Sequence, residues 1–355
     1  MTTTQPLRAG SSEAPSTVYD VALLDLDGVV YVGPDAVPGV PDALAAAREA
    51  GMRLGFVTNN AARTPEEVAA HLTELGIRAA PVDVITSSQA AATVVAQLYG
   101  AGARVLPVGG PGVAAALTAA GLTVVDRAED EPVAVVQGYG REVGWAQLAE
   151  AVVAVRNGAR HVATNTDATI PSPRGPLPGN GAMVGVVRAV TGVDPLVTGK
   201  PDPAMHAECV RRTGARRPLV VGDRLDTDIE GARAAGAASL LVLTGVTDPR
   251  TLLAAIPQHR PDLLAEDAGG LLTPHPPVAD DGSSWRCGDW VVRRAEGDDV
   301  LVLEAPTGTT GGLDGLRALC VAHWSRHPGD GAPARIVAAD DRAAAALDGW
   351  RLAGS

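Results

Sequence analysis

At 355 residues, 46% of them hydrophobic, the chain is long enough for a large core and for two or three domains. Its net charge of −12, with no basic run and no stripe of aromatic and basic residues, excludes the usual footprint of nucleic-acid binding. No stretch reaches the roughly 18 uninterrupted apolar residues that would span a membrane. The three cysteines, Cys209, Cys287 and Cys320, are far apart and lack metal-ligand spacing, which points to a reduced, cytoplasmic protein.

Residues 1–16 are polar and carry no apolar h-region, so a disordered leader is expected there. Val21 to Leu24 then reads as a buried strand that ends in Asp25-Leu26-Asp27-Gly28. A helix over Pro41 to Gly51 and a strand over Met52 to Val57 come next, the strand closing on Thr58-Asn59-Asn60. Thr64-Pro65-Glu66-Glu67 has Thr at N-cap, Pro at N1 and Glu at N3, which starts a helix running to about Leu75. A second α/β series has helices over Gln89–Leu98, Val113–Ala120 and Trp145–Asn157 between strands over Arg104–Val108, Ala134–Gln137 and His161–Ala163. The Pro- and Gly-dense loop from Thr164 to Gly181 is too long for a plain connector and is a candidate binding loop.

After a helix over Gly181–Thr191 the opening pattern returns. It has a Gly199-Lys200-Pro201 turn, a helix over Pro203–Thr213 and an apolar strand, Pro218–Val221, that ends in Gly222-Asp223-Arg224-Leu225-Asp226-Thr227-Asp228. A helix over Ile229–Ala235 and a strand over Ser239–Leu243 complete this part. Pro274 to Asp281 reads as a linker to a small α+β module.

Polar groups thus collect at strand ends, where open α/β sheets place their sites. Taken singly, each has a structural alternative. D-x-D-G is also a strand with a turn, Thr58 and the asparagines also cap turns, and a lone lysine is usually a solvated one. Asp226 reads as a complement to a helix dipole. Together and in this order, Asp25-Leu26-Asp27-Gly28, Thr58, Lys200 and Gly222-Asp223 through Asp228 resemble the four signatures of the haloacid dehalogenase superfamily of phosphotransferases.

The resemblance implies a doubly wound, mostly parallel α/β core of the Rossmann-like kind over residues 17–86 and 197–265. It also implies an inserted α/β C2 cap over 87–196. Asp25 matches the nucleophile that forms an aspartyl-phosphate, and Asp27 the general acid/base. Thr58, with the backbone amides of Asn59 and Asn60, would hold phosphoryl oxygens. Lys200 would supply a point charge to the nucleophile and phosphate. Asp25, the carbonyl of Asp27 and Asp223 would hold Mg²⁺, with Asp228 behind them orienting Lys200 or a metal-bound water. Arg174 and Asn180, on the cap loop, are further candidates for substrate contact.

Val57-Thr58-Asn59-Asn60, Thr164-Asn165-Thr166-Asp167 and Pro178-Gly179-Asn180-Gly181 resemble the branch that holds bacterial nucleotide phosphatases, phosphoglycolate/glycerol-3-phosphate phosphatase and pyridoxal phosphatase. In the pyridoxal phosphate enzymes a histidine stands three residues after the T-N-x-D aspartate; Ile170 stands here. The whole chain resembles the actinobacterial D-glycerol-3-phosphate phosphatases, which share the run Gly222 to Gly231 and a C-terminal appendage. That implies hydrolysis of glycerol 3-phosphate, a role in recycling polar heads from lipids, and a small phosphate ester as partner. The alternative is a broader phosphatase for phosphoglycolate, nucleotide monophosphates or pyridoxal phosphate.

Three features imitate other chemistries. Gly110-Pro111-Gly112 comes after a strand and opens a helix, as a dinucleotide loop does, but Pro111 and the cap context favour a plain turn. His323 and His327 are spaced like a metal pair without a third ligand nearby, and His161 reads as structural. In the relatives, residues 282–355 correspond to an acetyltransferase-like fragment. Thr307 to Gly312 is Gly-rich but lacks the pyrophosphate-loop pattern, so a non-catalytic module for packing or homo-oligomerisation is expected.

Overall fold

The computed structural model describes residues 6–170, 172, 174–295, 300–305, 312–329 and 331–353. The chain divides into two compact units, Met1–Leu54 with Arg216–Ser355, and Gly55–Ala215. The boundaries expected at 87 and 196 therefore fall inside the second unit. There the helix Ser87–Tyr99 packs on both Pro111–Ala119 and Pro203–Thr213.

In the first unit Val21–Asp25 pairs in parallel with Pro218–Gly222, with Val21 opposite Pro218 and Leu24 opposite Val221. Ala238–Val242 and Leu263–Ala265 continue the ladder, again in parallel. Val21 to Leu24 are all buried because helices cover both faces of such a sheet. One cover is Val40–Glu49, which buries Val40, Ala43, Leu44 and Ala47. Asp20 anchors the first strand: its carboxylate accepts the backbone N–H groups of Arg216 and Arg217, each at 2.8 Å.

One expectation changes here. Residues 6–16 are placed, not a loose leader: Leu7 is 2% exposed, and Ser11 and His275 exchange backbone hydrogen bonds at 2.7 and 2.8 Å. A buried apolar side chain and a β-bridge supply what the polar composition concealed. The helix expected over Ile229–Ala235 is preceded by a wide π-turn, Leu225–Ile229, in which the N–H groups of both Asp228 and Ile229 donate to Arg224 O at 3.1 and 3.2 Å. An α-helix, Glu230–Ala234, continues from it.

The C-terminal residues build their own five-stranded sheet, in the order Ala279–Asp280, Ser284–Cys287, Trp290–Arg294, Val300–Glu304, Arg335–Ala338. Its helix Asp314–Arg326 is buried on most sides, and its core is continuous with that of the α/β sheet. Leu319, Trp290 and Leu303 share one cluster with Leu241, Leu252 and Leu253. Trp324 Nε1 donates to Leu253 O at 3.0 Å, and the buried Arg260 donates from Nη1 to Pro328 O at 3.4 Å. The stretch expected as a linker supplies a strand of this sheet.

The second unit holds a parallel five-stranded sheet in the order Leu196–Val197, Arg160–Ala163, Ala134–Gln137, Arg104–Val108, Thr123–Val124. Apolar clusters cover it on two sides, one around Val105, Val113 and Leu117, the other around Val135, Ala151 and Val187. The dinucleotide-like loop is a packed turn, since a Cβ on Gly112 would stand 2.5 Å from the carbonyls of Ala61 and Arg63. Thr64 forms the expected capping box with Glu67. The loop 164–181 contains a small hairpin, Thr169–Ile170 with Leu177–Pro178; Pro171 and Pro173 lie outside the described residues, as does most of Thr307–Gly312.

Candidate active site

The register of the first unit dictates its acidic cluster. With Leu24 opposite Val221, the next residues of two adjacent parallel strands are Asp25 and Gly222, and Asp223 leaves the sheet beside Asp25. The π-turn carries Asp228 back to the same place. One carboxylate oxygen from each of Asp25, Asp223 and Asp228 lies within 4.8 Å of the other two, and among the described residues this is the one His, Cys, Asp or Glu group able to hold a metal ion. Asp223 and Asp228 are each 1% exposed. Buried carboxylates this close are costly without a cation, and an all-oxygen donor set suits a hard divalent ion. Asp228 was expected behind the ligands; the structure puts its carboxylate in one group with those of Asp25 and Asp223.

Backbone groups fix these acids. Asp223 Oδ2 accepts Val246 N–H at 2.7 Å, and Asp228 Oδ2 accepts Arg224 N–H at 3.2 Å. Gly28, at φ +87°, lies so near that a Cβ there would be 2.5 Å from Asp223 Oδ2. Asp27 tops a tight turn in which the N–H groups of Val30 and Tyr31 donate to Leu26 O at 2.9 and 3.2 Å, and it is exposed. A carboxyl in that position can carry a proton to and from solvent. Asp226 points elsewhere, gripped by Arg224 through Nε at 3.0 Å and Nη2 at 2.8 Å, and that guanidinium holds its carboxyl below the usual range.

In the second unit Thr58, 4% exposed, ends the strand Arg53–Thr58, and its Oγ1 accepts Asn60 N–H at 3.0 Å. Asn60 is exposed, and its Oδ1 accepts Ala62 N–H at 3.0 Å. Lys200 Nζ donates to Val57 O at 3.4 Å, which brings the ammonium to the strand that carries Thr58. Asn59 and Lys200 are joined through the Asn59 side chain and the Lys200 backbone. Asn180, expected at the substrate, is 2% exposed and donates to Asn165 O at 2.7 Å and Gln137 O at 3.3 Å; its amide holds the loop. Arg174 is exposed on the hairpin loop, its backbone N–H on Ser172 Oγ at 3.1 Å.

Sequence reasoning gave no role to Asn165, Ser87 or the Gly245-Val246 turn. Ser87 Oγ and Asn165 Nδ2 both donate to Asn59 O at 2.8 Å. The T-N-T-D pattern flagged Asn165 without its partner, and nothing local in the sequence marks Val246.

Residues 22–123, from the strand Val21–Asp25 onward, match the model of the haloacid dehalogenase-like hydrolases, and a second model of the same group matches residues 197–271. The D-glycerol 3-phosphate phosphatase of Mycobacterium tuberculosis is 45% identical over 344 residues, 94% of each chain. The chain belongs to the haloacid dehalogenase-like hydrolases. A crystal structure of glycerol phosphate phosphatase from M. tuberculosis, in complex with magnesium, superposes with a TM-score of 0.86 at 44% identity, covering 96% of this chain and 99% of that one. The acid sugar phosphatase of Staphylococcus aureus is 40% identical over 232 residues, 64% of this chain and 88% of that protein. Residues 287–352 match a GCN5-related N-acetyltransferase like domain. As a haloacid dehalogenase-like hydrolase with these relatives, the chain is a phosphoric monoester hydrolase. The expected fold class, a mostly parallel α/β core with a small additional C-terminal sheet, also stands.

Proposed function

We propose that this phosphatase hydrolyses D-glycerol 3-phosphate to glycerol and phosphate, with Mg²⁺ as cofactor and Asp25 as nucleophile. The observation that carries the chemistry is the grouping of Asp25, Asp223 and Asp228 at the C-terminal edge of a parallel sheet. The observation that carries the substrate is similarity along nearly the whole chain to a phosphatase of that ester.

The steps derive from the residue types. A carboxylate oxygen of Asp25 forms a bond to phosphorus as the bond to the alkoxide breaks, and Asp27 gives that alkoxide its proton. Asp27 then takes a proton from water, whose oxygen attacks phosphorus, releasing phosphate and regenerating the Asp25 carboxylate. Thr58, the backbone amides near it and the Lys200 ammonium would balance charge on the phosphoryl oxygens. Asp25, Asp223 and the Asp27 carbonyl, with Asp228 beside them, would hold Mg²⁺, which would supply positive charge against that of the phosphate. The cysteines offer no competing nucleophile: all are buried, and burial pushes the Cys209 and Cys287 thiols up to about 12.

Ile170 in place of a histidine weighs against pyridoxal phosphate as main substrate. The tail is given a packing role, supported by its shared core. A cytoplasmic place fits three unbridged cysteines. Among the described residues no helix is long and apolar enough to cross a membrane.

The test is kcat/KM with Mg²⁺ over a panel containing D- and L-glycerol 3-phosphate, phosphoglycolate, a sugar phosphate, a nucleotide monophosphate and pyridoxal phosphate. D-glycerol 3-phosphate should lead. Equal values across the panel would sink this substrate assignment.

A further inference from the structure

The side chain of Asn59 closes on the backbone of Lys200 from both sides. Its Oδ1 accepts Lys200 N–H at 2.9 Å and its Nδ2 donates to Lys200 O at 3.1 Å. One amide thus pairs with one residue's main chain across 141 positions of sequence, as a neighbouring strand would. Gly199 makes room for it: a Cβ there would lie 2.7 Å from Asn59 Oδ1 and would collide with Thr164 O. The remaining reach of Nδ2 goes to Asp167 Oδ2 at 3.4 Å.

Asn59 is itself held. Its carbonyl accepts Asn165 Nδ2 and Ser87 Oγ, both at 2.8 Å. Asn165 is 4% exposed, and its carbonyl accepts Asn180 Nδ2 at 2.7 Å. Three asparagine side chains therefore run in series from the loop 164–181 to the main chain of Lys200. An ammonium on a flexible four-carbon stem keeps much rotamer freedom. Fixing its backbone sets where that stem starts, and the bond from Nζ to Val57 O holds its tip.

We infer that Asn59 is a positioning residue for Lys200, and that Asn165 and Asn180 act through Asn59 instead of touching the substrate. The inference rests on the assignment of Lys200 to the phosphoryl group in the proposed function. A group that orients another is commonly worth about 10- to 100-fold. Asn59→Ala should therefore lower kcat/KM for glycerol 3-phosphate by about that factor. If it acts through Lys200, the loss vanishes when Lys200 is already gone, because coupled residues are not additive.

The experiment is a double-mutant cycle of Asn59→Ala and Lys200→Ala in the full chain, with Asn59→Asp measured against wild type from pH 5 to pH 8. The expected result is an Asn59→Ala loss of at least about 10-fold alone and under about 2-fold on top of Lys200→Ala. Asn59→Asp preserves size and the acceptor for Lys200 N–H, but its second oxygen faces Lys200 O and the Asp167 carboxylate until it is protonated. Its rate relative to wild type should rise as the pH falls. Equal losses from Asn59→Ala in both backgrounds, or an Asn59→Asp ratio flat with pH, would overturn the inference alone. Full turnover by Lys200→Ala would overturn the role of Lys200, and the inference with it.

Discussion

Gly28→Ala probes the acidic cluster without removing any acid. Gly28 sits at φ +87°, where a Cβ would stand 2.5 Å from Asp223 Oδ2, 2.7 Å from Asp223 Cγ and 3.0 Å from Gly245 Cα. Non-bonded heavy atoms prefer a separation of about 3.5 Å, so the carboxylate must retreat by on the order of 1 Å. Ligand distances in a metal site tolerate only about 0.2 Å. Asp223 cannot yield freely, since it is 1% exposed and tied to Val246 N–H at 2.7 Å. The left-handed backbone costs an alanine about 1–2 kcal/mol, and losing the Val246 bond adds about 1 kcal/mol. The substitution should therefore destabilise by about 2–3 kcal/mol. It should also raise the Mg²⁺ concentration for half-maximal activity at least about 10-fold, with part of kcat recovered at saturation. Phosphate release titrated with Mg²⁺, alongside chemical denaturation, measures both. An unchanged Mg²⁺ dependence would refute the placement of Asp223 as a ligand held against Gly28.

Asp20→Asn tests the strand anchor. Burial alone would raise the Asp20 carboxyl, but the Arg216 and Arg217 N–H groups outweigh it and hold it below its usual value. Such a group adds stability above its unfolded pKa that is lost as pH falls through the folded one, so denaturation midpoints of wild type and variant should converge as the pH falls below the ordinary carboxylate range of about 4. Burial lowers the His161 imidazole to about 4. The unfolded chain then binds the proton first, so stability should fall from about pH 6.5 toward 4 by up to about 3 kcal/mol, and His161→Gln should flatten that limb of the denaturation-versus-pH curve. Trp324→Ala, which empties the joint between tail and core, should cost about 3–5 kcal/mol in thermal or chemical unfolding yet leave kcat/KM of the folded enzyme within about 2-fold. A stability loss under about 1 kcal/mol would contradict the shared core.

The acids were legible because strand ends set their positions. An apolar run that stops at Asp25, and another that stops at Gly222-Asp223, can meet at one edge of a parallel sheet. Asp228 was harder: its approach depends on the π-turn, and no local pattern distinguishes that turn from an ordinary helix start. Asn180 shows the reverse difficulty. A polar residue in a Gly-rich loop reads as a ligand contact, while its use here is to satisfy the buried carbonyls of Gln137 and Asn165. The N-terminal stretch deceived through composition: the buried Leu7 and backbone bonds of Arg8 and Ser11 with Val278 and His275 hold it. Long-range partners of this kind, Asn59 with Lys200 among them, are the part of the site that spacing along the chain does not encode.

The central claim is hydrolysis through Asp25. Phosphate release from D-glycerol 3-phosphate with saturating Mg²⁺, wild type against Asp25→Asn, tests it most directly. Removing a nucleophile that forms the covalent intermediate should abolish turnover, by at least about 10³-fold. Asp25→Asn turning over within about 10-fold of wild type would contradict the account.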